Sequence, residues 1–308
     1  MPTVSVAILS HNAAAYIAAA LDSALAQTHA LAQILVIDDS TDDSPAIVER
    51  YAIAHPGVVQ LMRVLPCNVS KARNMALQNM TGEYASFLDA DDIWLPRKTE
   101  LQLAALAQTP DAVGAYAHYF DFRVDLDDGG RKVPKQGQDD PSLRDVIYLQ
   151  NMSSSTILFR RSAAAGLQFD EKRKDAEDTL FVAELRLKGR WRLADEALIA
   201  KRIHGNQASV SLKHVVRNVE CRLSWLKERR DAAAAGGFDA GAIHDEIASA
   251  WMGDLEGHYW RRDIANLKWM LAEARRICPE YVARSFLDKA RLYPRWVYRL
   301  RDLVAGKK

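Results

Sequence analysis

The chain has 308 residues, 49% hydrophobic and 26% charged, the make-up of a folded globular protein rather than a disordered or fibrous one. Lys and Arg number 41 against 40 Asp and Glu, for a formal net charge of +1. So balanced a chain has no global field to draw it to nucleic acid, and no run of about 18 apolar residues is present to span a membrane. The N-terminus lacks a basic secretory start, and Cys67, Cys221 and Cys278 are spaced neither as disulfide partners nor as metal ligands. These features point to a reducing cytoplasm, where the sequons at Asn68, Asn79 and Asn151 carry no meaning.

Residues 3–9 form a short β-branched apolar run that reads as a strand buried on both faces. Asn12 is placed to cap a helix through Ala13–Gln27, where Tyr16, Ile17, Ala20, Leu21, Ala24 and Leu25 recur at helical spacing. Gln33–Ile37 reads as a second strand ending in Asp38-Asp39-Ser40, and Ser44-Pro45 opens a helix to Ala54 with proline in its favoured first turn. A strand over Val58–Val64, a helix over Ser70–Met80 and a strand over Tyr84–Leu88 follow, the last running into Asp89-Ala90-Asp91-Asp92. Strands alternating with helices predict an α/β fold with a mostly parallel sheet flanked by helices. Beyond it lie a helix over Lys98–Ala107, a strand pair or edge strand over Val113–Val124 and a polar loop over Asp125–Pro141. Strands over Ser155–Phe159 and Leu193–Ile203 bracket a helix over Glu177–Lys188, and from Ser211 the chain reads as helical, interrupted at Ala232–Gly241.

Ligands of parallel sheets bind beyond the carboxyl ends of the strands, and two acidic clusters, Asp38-Asp39 and Asp89-Ala90-Asp91-Asp92, stand at such ends. Carboxylates gathered there repel one another unless a hard cation or a hydroxyl-rich ligand joins them. Asp42 and Asp43 read instead as turn and cap residues. Neither GxGxxG nor GxxxxGK[ST] occurs, against a dinucleotide oxidoreductase or a P-loop phosphotransferase; Lys71 and Arg73 are the nearest cations for a phosphate. Glu177-Asp178 opens a helix whose dipole favours an ionised carboxylate, as a cap or as a general base. His204, at the end of the last strand, is either a hydrogen-bonded structural residue or a ligand.

Taken together, Ser10-His11-Asn12, Val36-Ile37-Asp38-Asp39-Ser40, Ala72-Arg73-Asn74, Gly82 to Asp92, Trp94 to Lys98, Phe169-Asp170-Glu171, Glu177-Asp178 and Arg202-Ile203-His204 resemble family 2 glycosyltransferases of the GT-A fold. The resemblance covers about residues 3–210 and implies a Rossmann-like catalytic domain over 1–210. Within it, 1–98 would be the nucleotide-binding half and 99–210 the acceptor half, with a helical region over 211–308. It implies that Asp39, with Asp38 beside it, meets the nucleotide base in a pocket lined by the backbone near Leu9 and His11. Asp89-Ala90-Asp91 would form the DXD motif, Asp89 on the ribose and Asp91 on Mn2+ or Mg2+, with His204 as a second metal ligand and Asp178 as catalytic base. Val69 departs from the family's usual glycine.

The implied activity is inverting, metal-dependent transfer from a nucleotide-diphosphate sugar, UDP-linked by family default, to a glycan or lipid-linked acceptor of bacterial surface glycan synthesis. A silent nucleotide-sugar-binding protein would instead break the DXD motif or lack the base. A sugar nucleotidyltransferase would carry a glycine-rich signature where this chain has Ser10-His11-Asn12-Ala13. At the C-terminus Arg291, Arg295 and Arg299 each precede Leu292, Trp296 and Leu300, an arrangement suited to peripheral contact with the inner membrane face or to packing, including in a homodimer.

Overall fold

A computed structural model describes residues 1–123, 137–149, 152–204, 211–261, 263–288 and 290. The chain divides into two compact units, Met1–Gln207 and Ala208–Lys308. The first is built on an eight-stranded sheet in the order β3-β2-β1-β4-β7-β6-β8-β5. Its strands are β1 (Val4–Ser10), β2 (Gln33–Asp38), β3 (Val59–Arg63), β4 (Tyr84–Asp89), β5 (Ile93–Trp94), β6 (Gly114–Phe122), β7 (Ile157–Arg160) and β8 (Trp191–Arg202). β1 to β4 are mutually parallel, as are β6 and β8, whereas β7 runs antiparallel to both of its neighbours and β5 antiparallel to β8.

The helices of this unit are α1 (Ile17–Leu25), α2 (Ser44–Ala54), α3 (Val69–Asn79), α4 (Lys98–Ala107), α5 (Leu143–Leu149) and α6 (Glu177–Lys188). Every residue of β2 is buried, as a strand covered on both faces requires. Register carries the acidic ends together: Ser10 pairs with Asp38, and Leu9 with Asp89.

Four expectations are corrected. Asn12 does not cap a helix: its φ is 51°, its side chain accepts from the Thr41 amide at 2.9 Å, and α1 starts only at Ile17. β6 is one interior strand between β7 and β8, neither a pair nor an edge. Ser154–Thr156 form a 3-10 turn that precedes β7, with the Ser154 and Ser155 hydroxyls bonded to the site described below and that of Thr156 to Ser153 O at 2.8 Å. In the second unit the break is shorter than expected. α8 (Arg230–Ala235) ends at Gly236, Gly237 adopts φ +79°, and Asp239 caps α9 (Ala240–Trp260) by accepting from Ala242. Most of Asp125–Pro141, and everything from Arg291 to Lys308, lies outside the described residues. Val69 begins α3 without disturbing its start, since Asn68 accepts from the Lys71 amide at 2.8 Å.

The second unit also contains α7 (Leu212–Glu228), α10 (Ile264–Ile277) and α11 (Pro279–Arg284). Val216, Val219, Leu223 and Leu226 of α7 are buried, as are Ile247, Trp251 and Leu255 of α9 and Leu267 and Leu271 of α10. These are helical stripes, and they make the unit's core. Among the described residues no helix is long and apolar enough to cross a membrane.

One core polar group locks the sheet to α4. Lys98 is fully buried, and its amine donates to Gln102 Oε1 at 2.9 Å, Ser86 Oγ at 3.3 Å and Ile157 O at 3.3 Å, with Nζ 3.8 Å from the Trp94 ring centre. Burial pushes its pKa well below the usual lysine range, and the three acceptors use all the hydrogens an ammonium has. Lys98→Met should lower stability by about 1–3 kcal/mol in urea denaturation, because Gln102 Oε1 is left buried without a donor.

Candidate active site

The ends of β1 and β2 form the first wall. Asp38 is fully buried and committed: Ser40 donates to it through N at 3.0 Å and Oγ at 2.9 Å, and Arg63 pairs with it at 2.9 Å. Asp39 faces outward, accepting from His11 Nδ1 at 2.7 Å and from the Cys67 amide at 3.1 Å. Asp38 shapes the turn, and Asp39 with the exposed His11 presents polar atoms at its lip. Leu9 lies in β1 beside Asp89, and the two main-chain residues Leu9 and Ile37 are paired behind them. Asp42 is structural as expected, its Oδ1 accepting from Ser44 N at 3.0 Å and its Oδ2 from Ala14 N at 3.0 Å.

The end of β4 supplies the second wall. Asp89 leaves the strand, its amide donating to Ser155 Oγ at 3.1 Å, and the buried Ala90 turns the chain toward Asp91. Asp92 is buried, accepting from Ser155 Oγ at 2.8 Å and from the Arg202 amide at 3.2 Å. Burial, with Asp89 and Asp91 adding to it, pushes the Asp92 carboxyl up to about 7. Asp91 meets His204 instead, Oδ2 to Nε2 at 2.9 Å, and the His204 ring stacks on Tyr16 with centroids 5.2 Å apart.

Arg73 joins the walls to α6. It is 5% exposed, donating from one terminal nitrogen to Glu177 Oε1 at 2.7 Å and from the other to Ser154 Oγ at 2.7 Å, with Asp89 Oδ1 at 3.8 Å. Burial works against its charge, but Glu177, Asp178 and Asp89 together hold its pKa above the ordinary arginine value. Burial likewise raises the Glu177 and Asp89 carboxyls, and Arg73 pulls both back. With both terminal nitrogens engaged, Arg73 organises carboxylates, and Lys71 stands exposed on the first turn of α3.

Ala176, buried before α6, sits at φ 60°, a left-handed conformation that costs a side-chain-bearing residue about 1–2 kcal/mol. That bend aims Glu177 at Arg73. Asp178 Oδ1 accepts from the Thr179 amide at 2.7 Å, whereas its other oxygen takes no hydrogen bond from the described residues.

Lys201 and the run Ser153-Ser154-Ser155 escaped the sequence reading. Each serine serves a different side chain: Ser153 meets Lys201 at 3.4 Å, Ser154 takes Arg73 and Ser155 takes Asp92. A triple serine before a strand, and a lysine that follows the apolar run Ala197–Ala200 three residues ahead of His204, were the available signals.

The chemistry of the Asp91–His204 pair suits a divalent cation. Two ligand atoms at right angles, each about 2.1 Å from a metal, lie about 3.0 Å apart, close to the 2.9 Å between Asp91 Oδ2 and His204 Nε2. Among the described residues no group of three or more His, Cys, Asp or Glu surrounds a common point, so further ligands would come from solvent and substrate.

Residues 5–167 match the family model described as glycosyl transferase family 2. An uncharacterized glycosyltransferase of Nostoc sp. (strain PCC 7120) is 34% identical over 134 residues, 43% of this chain and 40% of that protein. The Escherichia coli UDP-Glc:alpha-D-GlcNAc-diphosphoundecaprenol beta-1,3-glucosyltransferase WfaP is 28% identical over 172 residues, 55% of this chain and 65% of that protein. This chain thus spans less than two thirds of either relative. The structure of S. aureus TarS 1–349 in complex with UDP-GlcNAc is similar with a TM-score of 0.59 at 22% identity, over 73% of this chain and 66% of that one. A likeness of that kind shows the fold, here the GT-A type.

Arg73→Met should cost about 3–5 kcal/mol of stability, because a buried Glu177 carboxylate loses its partner. Adding Glu177→Gln in the same chain should return part of it in urea titrations.

Proposed function

The chain belongs to glycosyl transferase family 2, and from that premise we propose that it transfers a sugar, with inversion, from a nucleoside-diphosphate donor to an acceptor hydroxyl. The observation that carries the reading is the convergence of Asp89 and Asp91 at the end of β4 with Asp178 at the start of α6, tied through Arg73 and Glu177. Uracil is the proposed base of the donor. UDP is named in the donor of the E. coli relative and in the TarS complex, and Asp39 with His11 offers the polar lip for the base.

In this reading the base rests against Asp39 and the backbone near Leu9 and His11, and Asp89 takes the ribose. Asp38 and Arg73 act as positioning residues, the first for the turn before Asp39, the second for Glu177 and Asp89. Asp178 is the general base. Its Oδ1 is fixed by the Thr179 amide, and its other oxygen takes the proton of the acceptor hydroxyl as the hydroxyl's own oxygen bonds to the anomeric carbon. The bond to the diphosphate breaks on the opposite face, and the nucleoside diphosphate departs with the electron pair. That single displacement inverts the anomeric configuration. Asp91 and His204 would hold Mn2+ or Mg2+, which supplies positive charge where the leaving diphosphate gains negative charge.

The proposed acceptor is a glycan or lipid-linked glycan, the lipid diphosphate acceptor being in the E. coli relative's name. Peripheral contact with an anionic membrane through the C-terminal unit fits it. Trp260 is 65% and Phe286 42% exposed beside Tyr259, and Lys289, Arg291, Arg295, Arg299 and Arg301 follow in the chain.

Asp178→Asn keeps the shape of the side chain and removes its basicity. Turnover should fall about 10²–10⁴-fold while donor affinity stays within a few-fold, measured by release of nucleoside diphosphate. Near-intact turnover would place the base elsewhere, and pyrophosphate as the product would mean a nucleotidyltransferase. For the membrane contact, full-length protein should sediment with anionic liposomes at low salt and a chain truncated after Leu287 should not; equal behaviour would sink it.

A further inference from the structure

Two lysines sit against the sheet, and they differ in how their hydrogens are used. Lys98 meets three acceptors, at 2.9, 3.3 and 3.3 Å, and is saturated. Among the described residues Lys201 of β8 makes one long hydrogen bond, to Ser153 Oγ at 3.4 Å, and its Nζ stands 5.2 Å from the Tyr119 ring centre. Asp92, Asp89 and Asp178 all face it, yet among the described residues no carboxylate oxygen comes within the 4.0 Å of an ion pair. Burial opposes its charge, and those carboxylates with Tyr119 more than offset it, so the amine is held as an ammonium. An ammonium kept charged beside three carboxylates, with hydrogens that no described residue takes, can donate to an anionic ligand. Arg73, by contrast, is already held through both terminal nitrogens, by Glu177 and Ser154 at 2.7 Å each.

We propose that Lys201 receives the diphosphate of the nucleotide donor, donating to the phosphate that becomes the leaving group. The inference rests on the glycosyltransferase reading above. Its role differs from that of a cation at Asp91 and His204, because the lysine's contribution persists when divalent metal is removed. Lys201 also lies on the β8 end that leads to His204, so one strand end carries both the ammonium and the imidazole.

The test is the preference for UDP over UMP, read by calorimetry in Mn2+ and again in EDTA, for wild type, Lys201→Met and Lys201→Arg. Lys201→Met should weaken UDP binding by about 10- to 100-fold and UMP much less, in both conditions. Lys201→Arg should retain most of the preference. A purely structural lysine would weaken both nucleotides equally and leave their ratio unchanged, and that result overturns the proposal. If Lys201→Met fails to fold, the charge-balanced double variant Lys201→Met with Asp92→Asn takes its place, and an unchanged UDP-to-UMP ratio there overturns the proposal equally. A wild-type protein that binds neither UDP nor any other nucleoside diphosphate overturns the parent reading, and this inference with it. UDP binding in the wild type with an unaltered ratio in the variants removes only Lys201.

Discussion

Like charges crowded at one end of a sheet are the constraint on which the rest of this structure turns. Asp89, Asp91, Asp92, Glu177 and Asp178 gather there, and burial pushes the carboxyls of Asp89, Asp92 and Glu177 upward. Two cations counter this. Arg73 is locked between Glu177 and Ser154, and Lys201 is suspended among Asp92, Asp89 and Asp178. The two are not equivalent. Arg73 is tied through both terminal nitrogens to two elements of the wall, whereas Lys201 makes one long hydrogen bond among the described residues.

The scaffold explains how so much charge is held in place. Parallel pairing of β1 with β2 and β4 sets Ser10 beside Asp38 and Leu9 beside Asp89, so the acidic turns cannot drift apart without breaking ladder hydrogen bonds. The aromatic rings beneath make a stiff floor. Phe169 stacks on Phe181 with centroids 4.3 Å apart, and the Arg73 guanidinium lies 5.4 Å from the Phe169 ring centre. The left-handed Ala176 is strain stored at the same place, aiming α6 into the site.

Local signals in the chain were enough for much of this. The bounds of α2, α4 and α6 follow from Pro45 at a helix start, from apolar spacing and from Glu177-Asp178 in a first turn. The acidic strand ends were legible because a carboxylate pair after a buried apolar run has few structural uses. What was hidden depends on distant partners. Asn12 has the side chain of a helix cap, but Thr41, far along the chain, takes it first. The 3-10 turn at Ser154–Thr156 exists because Arg73, Asp92 and Lys201 draw hydroxyls from Ser153 to Ser155. Lys201 drew no reading of its own, because only the fold shows which carboxylates it faces.

The central claim is that the carboxyl ends of β1, β2 and β4 hold a nucleoside diphosphate with a divalent cation on Asp91 and His204. A crystal grown with UDP and MnCl2, with diffraction collected at the manganese edge, tests it most directly. The account predicts an anomalous peak in bonding contact with Asp91 Oδ2 and His204 Nε2, the uracil against Asp39 and the diphosphate between the metal and Lys201. Manganese bound away from that pair, or UDP seated anywhere other than those strand ends, would contradict it.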